Sequence, residues 1–193
     1  ADANKLSFNV GNTIIASVNS AGILSNTGNV MINSSGAITA NNISVGRIVT
    51  PSVMPANSIL QVVQSITSTE VTSSSTSYAN TGLSASITPL FATSKILVMI
   101  NHGTMTKSSG VSTNRVMLKL VRDSTDIYVF GNGLLYTATA VQNRGAGIFT
   151  YLDSPGTTSA ITYKTQFARV SLGIVYVQVA SGTSTITLME ISA

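Results

Sequence analysis

Leu83-Ser84-Ala85-Ser86-Ile87-Thr88 and Lys95-Ile96-Leu97-Val98-Met99-Ile100 decide the fold class of this chain. The first stretch alternates apolar and hydroxyl side chains with a period of two, as a strand with one dry and one wet face does. The second is apolar without a break from Ile96 to Ile100. That predicts a central strand covered on both faces, by the core on one side and by a neighbouring subunit on the other.

Working outward, the same period recurs. Leu60, Val62, Gln64 and Ile66 share one side of a strand over 59–66. Val116, Leu118 and Leu120 point inward within 115–122, with Lys119 outward. Ile161, Tyr163, Thr165 and Phe167 share a face within 160–170, opposite Lys164 and Gln166. Further strands are predicted over 127–130, 147–152, 173–180 and 184–191, with turns at Gly131-Asn132-Gly133, Asp153-Ser154-Pro155-Gly156 and Ser181-Gly182-Thr183. About eight to ten short strands spaced by turns make an antiparallel β-sandwich or jelly roll. Helix is disfavoured throughout, because the polar residues are mostly Ser, Thr and Asn, which compete for the backbone, and Gly, which costs entropy.

The N-terminal part obeys different physics. Residues 6–46 carry no charged side chain, and short apolar groups (Ile14-Ile15, Ile23-Leu24, Val30-Met31-Ile32, Ile38) sit between Gly and Asn turns. Gly11-Asn12-Thr13 through Ile23 recurs, shortened, as Gly28-Asn29-Val30 through Ile38. Units this small cannot bury a face alone and need stacked or intertwined neighbours. Pro51 and Pro55 hold the chain extended between the two parts. The expected organisation is therefore a repetitive β stalk over 1–50, a connector over 51–57 and a sandwich head over 58–193. Ten of the eleven aromatic residues lie in the head, Phe8 being the exception.

Charged residues make up 8% of the chain, against about 25% in ordinary soluble domains. So uncharged a surface is a poor colloid on its own, and the deficit predicts an obligate assembly; three chains wound about a common axis, a homotrimer, would bury the Ile and Val residues of the stalk. The net charge of +4 is carried by Lys and Arg residues that never form a run, which argues against nucleic acid as a partner. No stretch reaches the ~20 apolar residues of a membrane-spanning helix, and no secretory leader is recognisable. A start at Ala1 instead of Met is expected of a processed chain or a piece of a longer one.

Chemistry is sparse. There is no Cys, and His102 is the only histidine, expected at a strand end or loop just before Gly103. Without thiols or a second imidazole a zinc site has almost no ligands, and no cofactor is expected. Arg122-Asp123-Ser124-Thr125-Asp126 reads as a hairpin turn more simply than as a cation site or a pair of catalytic carboxylates. The protein is therefore expected not to be an enzyme. Sugar recognition by loops of a sandwich, with hydrogen-bonding side chains around an aromatic platform, is the chemistry left. The candidate loops are 103–114, 130–139, 140–145 and 153–160, and the candidate receptor contacts are His102, Lys107, Asn132, Tyr136, Asn143 and Arg144.

Several strings resemble a known family. Ser58-Ile59-Leu60-Gln61-Val62-Val63-Gln64, Thr93-Ser94-Lys95-Ile96-Leu97-Val98, Leu120-Val121-Arg122-Asp123-Ser124, Tyr151-Leu152-Asp153-Ser154-Pro155 and Thr185-Ile186-Thr187-Leu188-Met189-Glu190-Ile191 are similar to a C-terminal domain of bacteriophage tail fibres. The same domain occurs on related virion proteins of marine and other environmental phages. The resemblance spans Pro55 to Ala193 and implies a trimeric fibre or appendage tip on the virion. Other virion proteins would join its N-terminal end and a host surface glycan would be its target. It transfers no binding residue. The alternatives are a purely structural virion protein, such as a head fibre, decoration or baseplate piece, a polysaccharide depolymerase, or a cellular adhesin.

The stalk reading makes a direct prediction. Asn at Ile14, Ile23, Ile32 or Ile38 buries an amide without partners and lowers the melting temperature. Unchanged melting in all four variants would mean that the stalk is not packed.

Overall fold

The computed structural model describes residues 55–193 in full, and the backbone of four strands before them. It is almost entirely β. The chain divides into two compact units, residues 1–48 and 49–193.

In the first unit, β1 (Leu6–Val10), β2 (Thr13–Asn19), β3 (Gly22–Ser25) and β4 (Val30–Asn33) form an antiparallel meander in sequence order. Leu6, Val18, Ile23 and Ile32 sit opposite one another across the four strands. Gly22 opens β3; the turns of the expected repeat and the second strand of its later copy lie outside the described residues. Ile38 and residues 51–54 of the connector lie outside the described residues.

The second unit is an antiparallel sandwich of ten strands, β5 to β14. One sheet has the order β10 (Thr125–Leu134), β9 (Val116–Arg122), β12 (Ile161–Arg169), β7 (Ala79–Ile87). The other is built on β8 (Lys95–Lys107), the longest strand. Along one side of β8 run β14 (Ser184–Ile191) and, further on, β13 (Val175–Val177). β5 (Ile59–Thr67) pairs with β14, and β6 (Val71–Ser73) with β13. β11 (Asn143–Asp153) covers the other side of β8 from end to end.

Between the sheets, the alternating residues named from the sequence form the core. Leu83, Ala85, Ile87, Ile96, Val98, Ile100, Leu120, Ile161, Tyr163, Ile186 and Leu188 make one cluster. Met105, Val116, Leu118, Phe167, Val175 and Val177 make a second. One open flank is closed by aromatic rings of the two edge strands: Tyr128 of β10 meets Tyr151 of β11 at a centroid distance of 5.2 Å and Phe130 meets Phe149 at 4.8 Å.

One expectation needs correction, and a second is met only in part within one chain. The stretch 173–180 is not one strand, because β13 stops at Val177 and Gln178, Ala180 and Ser181 turn with positive φ (56°, 53° and 59°) before β14 begins. Lys95–Ile100 is covered on one face only within a single chain: Ile96, Val98 and Ile100 are buried, Leu97 is half-buried and Met99 exposed. An uninterrupted apolar run has no alternation with which to mark its open side.

The two ends of the sandwich differ. The base holds Lys95, Ile191 and the entry of the chain. There Asn57 N donates to Ser192 O (3.0 Å), Ser192 N to Ser58 O (2.9 Å) and Ser192 Oγ to Pro55 O (3.0 Å). Also at the base, Asp153 Oδ2 accepts from Arg122 Nη1 and from Tyr163 Oη, both at 2.6 Å, so that β11 of one sheet is tied to β9 and β12 of the other. Burial, then the hydrogen bond to Asp153, holds the Tyr163 phenol far above its ordinary pKa, a neutral donor at any working pH. Asp153→Ala takes the acceptor from the buried Tyr163 hydroxyl and from the partly exposed Arg122 guanidinium. It should cost about 2 kcal/mol, read as a lower urea midpoint at unchanged m-value; a midpoint within error of the parent would show that the clamp holds nothing.

Candidate functional site

The sequence-nominated residues separate into two groups, one in the core and one on the surface. His102 is the clearest correction. It lies inside β8 rather than at a strand end or loop, and its ring is fully buried between the sheets. The following Gly103 does not mark a turn: a Cβ there would sit 2.4 Å from the carbonyl oxygen of Thr183, so Gly lets the strand pass close to its neighbour.

His102 belongs to a layer of buried polar side chains that crosses the core between the two apolar clusters. Thr81 comes from β7, Thr165 from β12, Ser184 from β14 and Gln178 from the turn after β13. His102 Nε2 lies 3.0 Å from Thr165 Oγ1, which lies 2.6 Å from Thr81 Oγ1. On the other side, Nδ1 lies 3.3 Å from Ser184 Oγ. Assigned from the network, the Gln178 amide nitrogen donates to the carbonyls of Thr81, Val177 and Thr69 (3.2, 3.3 and 3.3 Å), and its oxygen accepts from Ser184 Oγ at 3.0 Å. A single tautomer satisfies the chain: Thr165 donates to Nε2, and Nδ1–H donates to Ser184. The ring is therefore neutral, and burial lowers its pKa to about 4.

A serine beside a histidine invites a nucleophile reading, but Ser184 and His102 are both buried and the third partner is an amide. Sealed between sheets, the group is a structural device. Alternation put Thr165 on the inward face of its strand, but nothing in the sequence announced the network, because a hydroxyl such as that of Thr81 or Ser184 on a strand usually faces water.

Lys107 is the second correction. It ends β8 and is fully buried, its ammonium held by the carbonyls of Val111 and Thr139 at 3.3 Å each. It touches no outside ligand; it ties two loops together. Those loops are shorter than expected, 108–115 and 135–142, because β8 runs to Lys107 and β10 to Leu134.

They meet at the end of the sandwich opposite the base. Gly110 N donates to Ala140 O (3.0 Å), Ser108 N to Ile174 O (2.9 Å) and Val170 N to Arg115 O (3.3 Å), so the segment 170–174 is bound into the same pad. Asn114, buried, donates to Ile174 O at 3.3 Å. The four remaining candidates lie at this end. Tyr136 is half exposed, with the Arg115 guanidinium 5.9 Å from its ring centre. Asn132 lends its carbonyl to Arg115 Nε (2.9 Å), Asn143 donates to Leu135 O (3.3 Å), and Arg144 is exposed. Arg115 joins the pad as a residue the sequence reading passed over. Exposed Val141 and Leu172 supply apolar surface beside it.

Charge is also divided between the ends. Segments 103–118, 129–147 and 166–184, which build the pad, contain Lys107, Arg115, Arg144 and Arg169 and no carboxylate. Asp123, Asp126, Asp153 and Glu190 lie at or toward the base, and each is engaged. Asp123 Oδ1 accepts from Thr162 N (2.9 Å) and Asp126 holds Lys119 Nζ at 2.7 and 2.8 Å. Glu190 accepts from Leu90 N at 2.7 Å and Gln61 Nε2 at 2.5 Å. Asp123 sits in the expected hairpin turn, with φ 53°. No group of three His, Cys, Asp or Glu side chains gathers as a metal site among the described residues. Nor is any described helix long and apolar enough to cross a membrane. A shallow depression of about 310 Å³ lined by Ile66, Thr67, Ser68, Thr69 and Thr183 opens at the edge of the sheet, small and hydroxyl-lined.

These features define a class: an antiparallel β-sandwich with a rigid, acid-free loop pad at one end. Neither a family model nor a curated protein matches the chain. Among solved structures, a mutant VP2 protein of infectious bursal disease virus, from T=1 particles, aligns at 13% identity and a TM-score of 0.41, covering 100% of this chain and 53% of that one. A subviral particle of VP2 from the same virus aligns at 13% identity and 0.34, covering 99% and 55%. The chain thus spans about half the length of these proteins. The architecture rests on its own strand pairing.

The neutral, buried His102 makes a pH prediction. Its folded pKa, about 4, lies below the unfolded value of about 6.5. The unfolded chain therefore binds the extra proton first. The stability from this site is complete above about pH 6.5 and is lost as pH falls toward 4, by up to about 3 kcal/mol. Urea midpoints between pH 7 and 4.5 should fall more steeply for the parent than for His102→Gln. Parallel slopes would show that the ring titrates normally.

Proposed function

We propose that this chain is a non-enzymatic appendage tip of a virion, trimeric, whose loop pad binds a glycan on the host surface. The observation that carries the binding half is the pad itself. Three loops are locked to one another by backbone hydrogen bonds and by buried Lys107; Tyr136 stands on one of them, and Asn132 at the end of β10 and Asn143 and Arg144 at the start of β11 flank it, at the end opposite the chain entry. Rigid loops on a sandwich lose little entropy on binding, and an aromatic ring among amides suits a sugar. Three such pads on one tip would multiply a weak contact by avidity.

The phage-fibre part of the reading rests on the resemblance of Pro55 to Ala193 to tail-fibre tips, together with the uncharged repetitive N-terminal part. An acid-free pad with three cations, Arg115, Arg144 and Arg169, besides the buried Lys107 favours an anionic glycan, carboxylated or phosphorylated, over a neutral one. Absence of an engaged carboxylate pair at the pad fits binding without cleavage.

A glycan array probed with the full chain tests the reading. Acidic glycans should be retained, and Tyr136→Ala or Arg144→Ala should weaken retention at least tenfold with unchanged melting. No retention of any glycan or host cell would favour a purely structural virion protein. New reducing ends in a treated host polysaccharide would instead make it a depolymerase.

A further inference from the structure

The two outer faces of the sandwich differ in kind. On the sheet of β7, β9, β10 and β12 the outer face is polar and internally bonded: Ser86 to Thr162 (2.7 Å), Gln166 to Asn80 (2.9 Å), and Lys119 to Asp126, with the same ammonium 4.3 Å from the Tyr78 ring centre. That surface is finished. The outer face of the β5–β14–β8–β11 sheet is not.

Register places its outward residues in rows across the four strands. Val62, Met189, Leu97 and Leu152 form one row, apolar throughout. Gln64, Thr187, Met99 and Thr150 form the next, and Ile66, Thr185, Asn101 and Ile148 the third. Ile148 is 79% exposed, Ile66 62%, Val62 53% and Leu152 48%. Hydrophobic side chains scattered singly over a surface need no explanation, but a contiguous face does.

We propose that this face is where copies of the chain meet, each turning it toward the axis of the assembly. The proposal rests on the trimer reading above and names its surface. Two features select a second copy over another occupant. The rows carry no charge; Lys95 and Arg144 stand only at the two ends of the face, so identical faces approach without repulsion and offer nothing to a charged partner. The size also fits. Four strands at about 4.8 Å and seven residues at about 3.3 Å give roughly 440 Å² in flat projection. Side-chain relief raises that toward the ~800 Å² each partner contributes to a standard interface. The hydroxyls and amides of the second row, Gln64, Thr187 and Thr150, can pair across such a contact and set its register.

The chain has no cysteine, so a single introduced thiol is a clean probe. Thr150→Cys places it on the open face and Ser84→Cys on the polar one, both exposed in a single chain. Maleimide labelling of the full chain is read beside its mass by light scattering. A multimer in which position 150 reacts at least tenfold more slowly than position 84, and in which Leu97→Asp removes the difference, is the expected result. A multimer with equal rates at both positions would overturn the face while leaving the trimer intact. A monomer with equal rates would remove both. A monomer still slow at position 150 would mean that another part of the chain, such as residues 1–54, covers the sheet, and would overturn the proposal.

Discussion

The sandwich depends on one line of buried hydrogen bonds. From Thr81 through Thr165, His102 and Ser184 to Gln178, one polar side chain per strand crosses the interior and joins the sheet of β7 and β12 to the sheet of β8 and β14. Apolar contacts alone tolerate a strand sliding by two residues, because the same face stays dry. Such a slip here would drive His102 or Thr165 into an apolar cluster with its partners lost, at a cost of roughly 1–3 kcal/mol for each orphaned group. The layer therefore fixes register between sheets that otherwise share only greasy surfaces.

The same layer accounts for the left-handed turn at Gln178, Ala180 and Ser181. Positive φ in residues with a Cβ costs of order 1 kcal/mol each, and the surroundings must hold it. The Gln178 amide does so, bonded to three carbonyls and one hydroxyl in a dry site. Turning there instead of continuing lets β13 end and β14 begin in line along one side of β8. Strain at the turn and order in the core are one arrangement.

Function is distributed along the axis of the head. Four of the five described carboxylate side chains, Asp123, Asp126, Asp153 and Glu190, gather toward the end where the chain enters, each with a hydrogen-bonded partner, while exposed Glu70 stands apart before β6, and cations without acids gather at the loop pad. One outer face is closed by its own hydrogen bonds, the other is open and apolar. The proposed appendage tip would use this asymmetry: an end to enter by, an end to touch with and a side on which to associate. Buried Lys107 serves the touching end, since two loops that share one ammonium cannot move independently.

By itself the sequence determined the class. Alternation at 83–88 and 161–167, Gly and Asn at turns and the absence of helix formers required short antiparallel strands, and each buried residue those stretches named is in the core. Tyr136 was legible as a loop residue, whereas Asn132, Asn143 and Arg144, expected in loops, lie in β10 and β11, because those strands run past their turn signals. His102 and Lys107 were hidden too, since polarity alone cannot tell a side chain that faces water from one that finds its partners inside, on distant strands for His102 and on two loop carbonyls for Lys107. Which face of Lys95–Ile100 stays open was equally hidden, because an unbroken apolar run looks the same on both sides. Only the tertiary structure decides such matters, for the partners of a buried polar group and the cover of a sheet are set by residues 60 to 100 positions away, brought together by packing that no local pattern encodes.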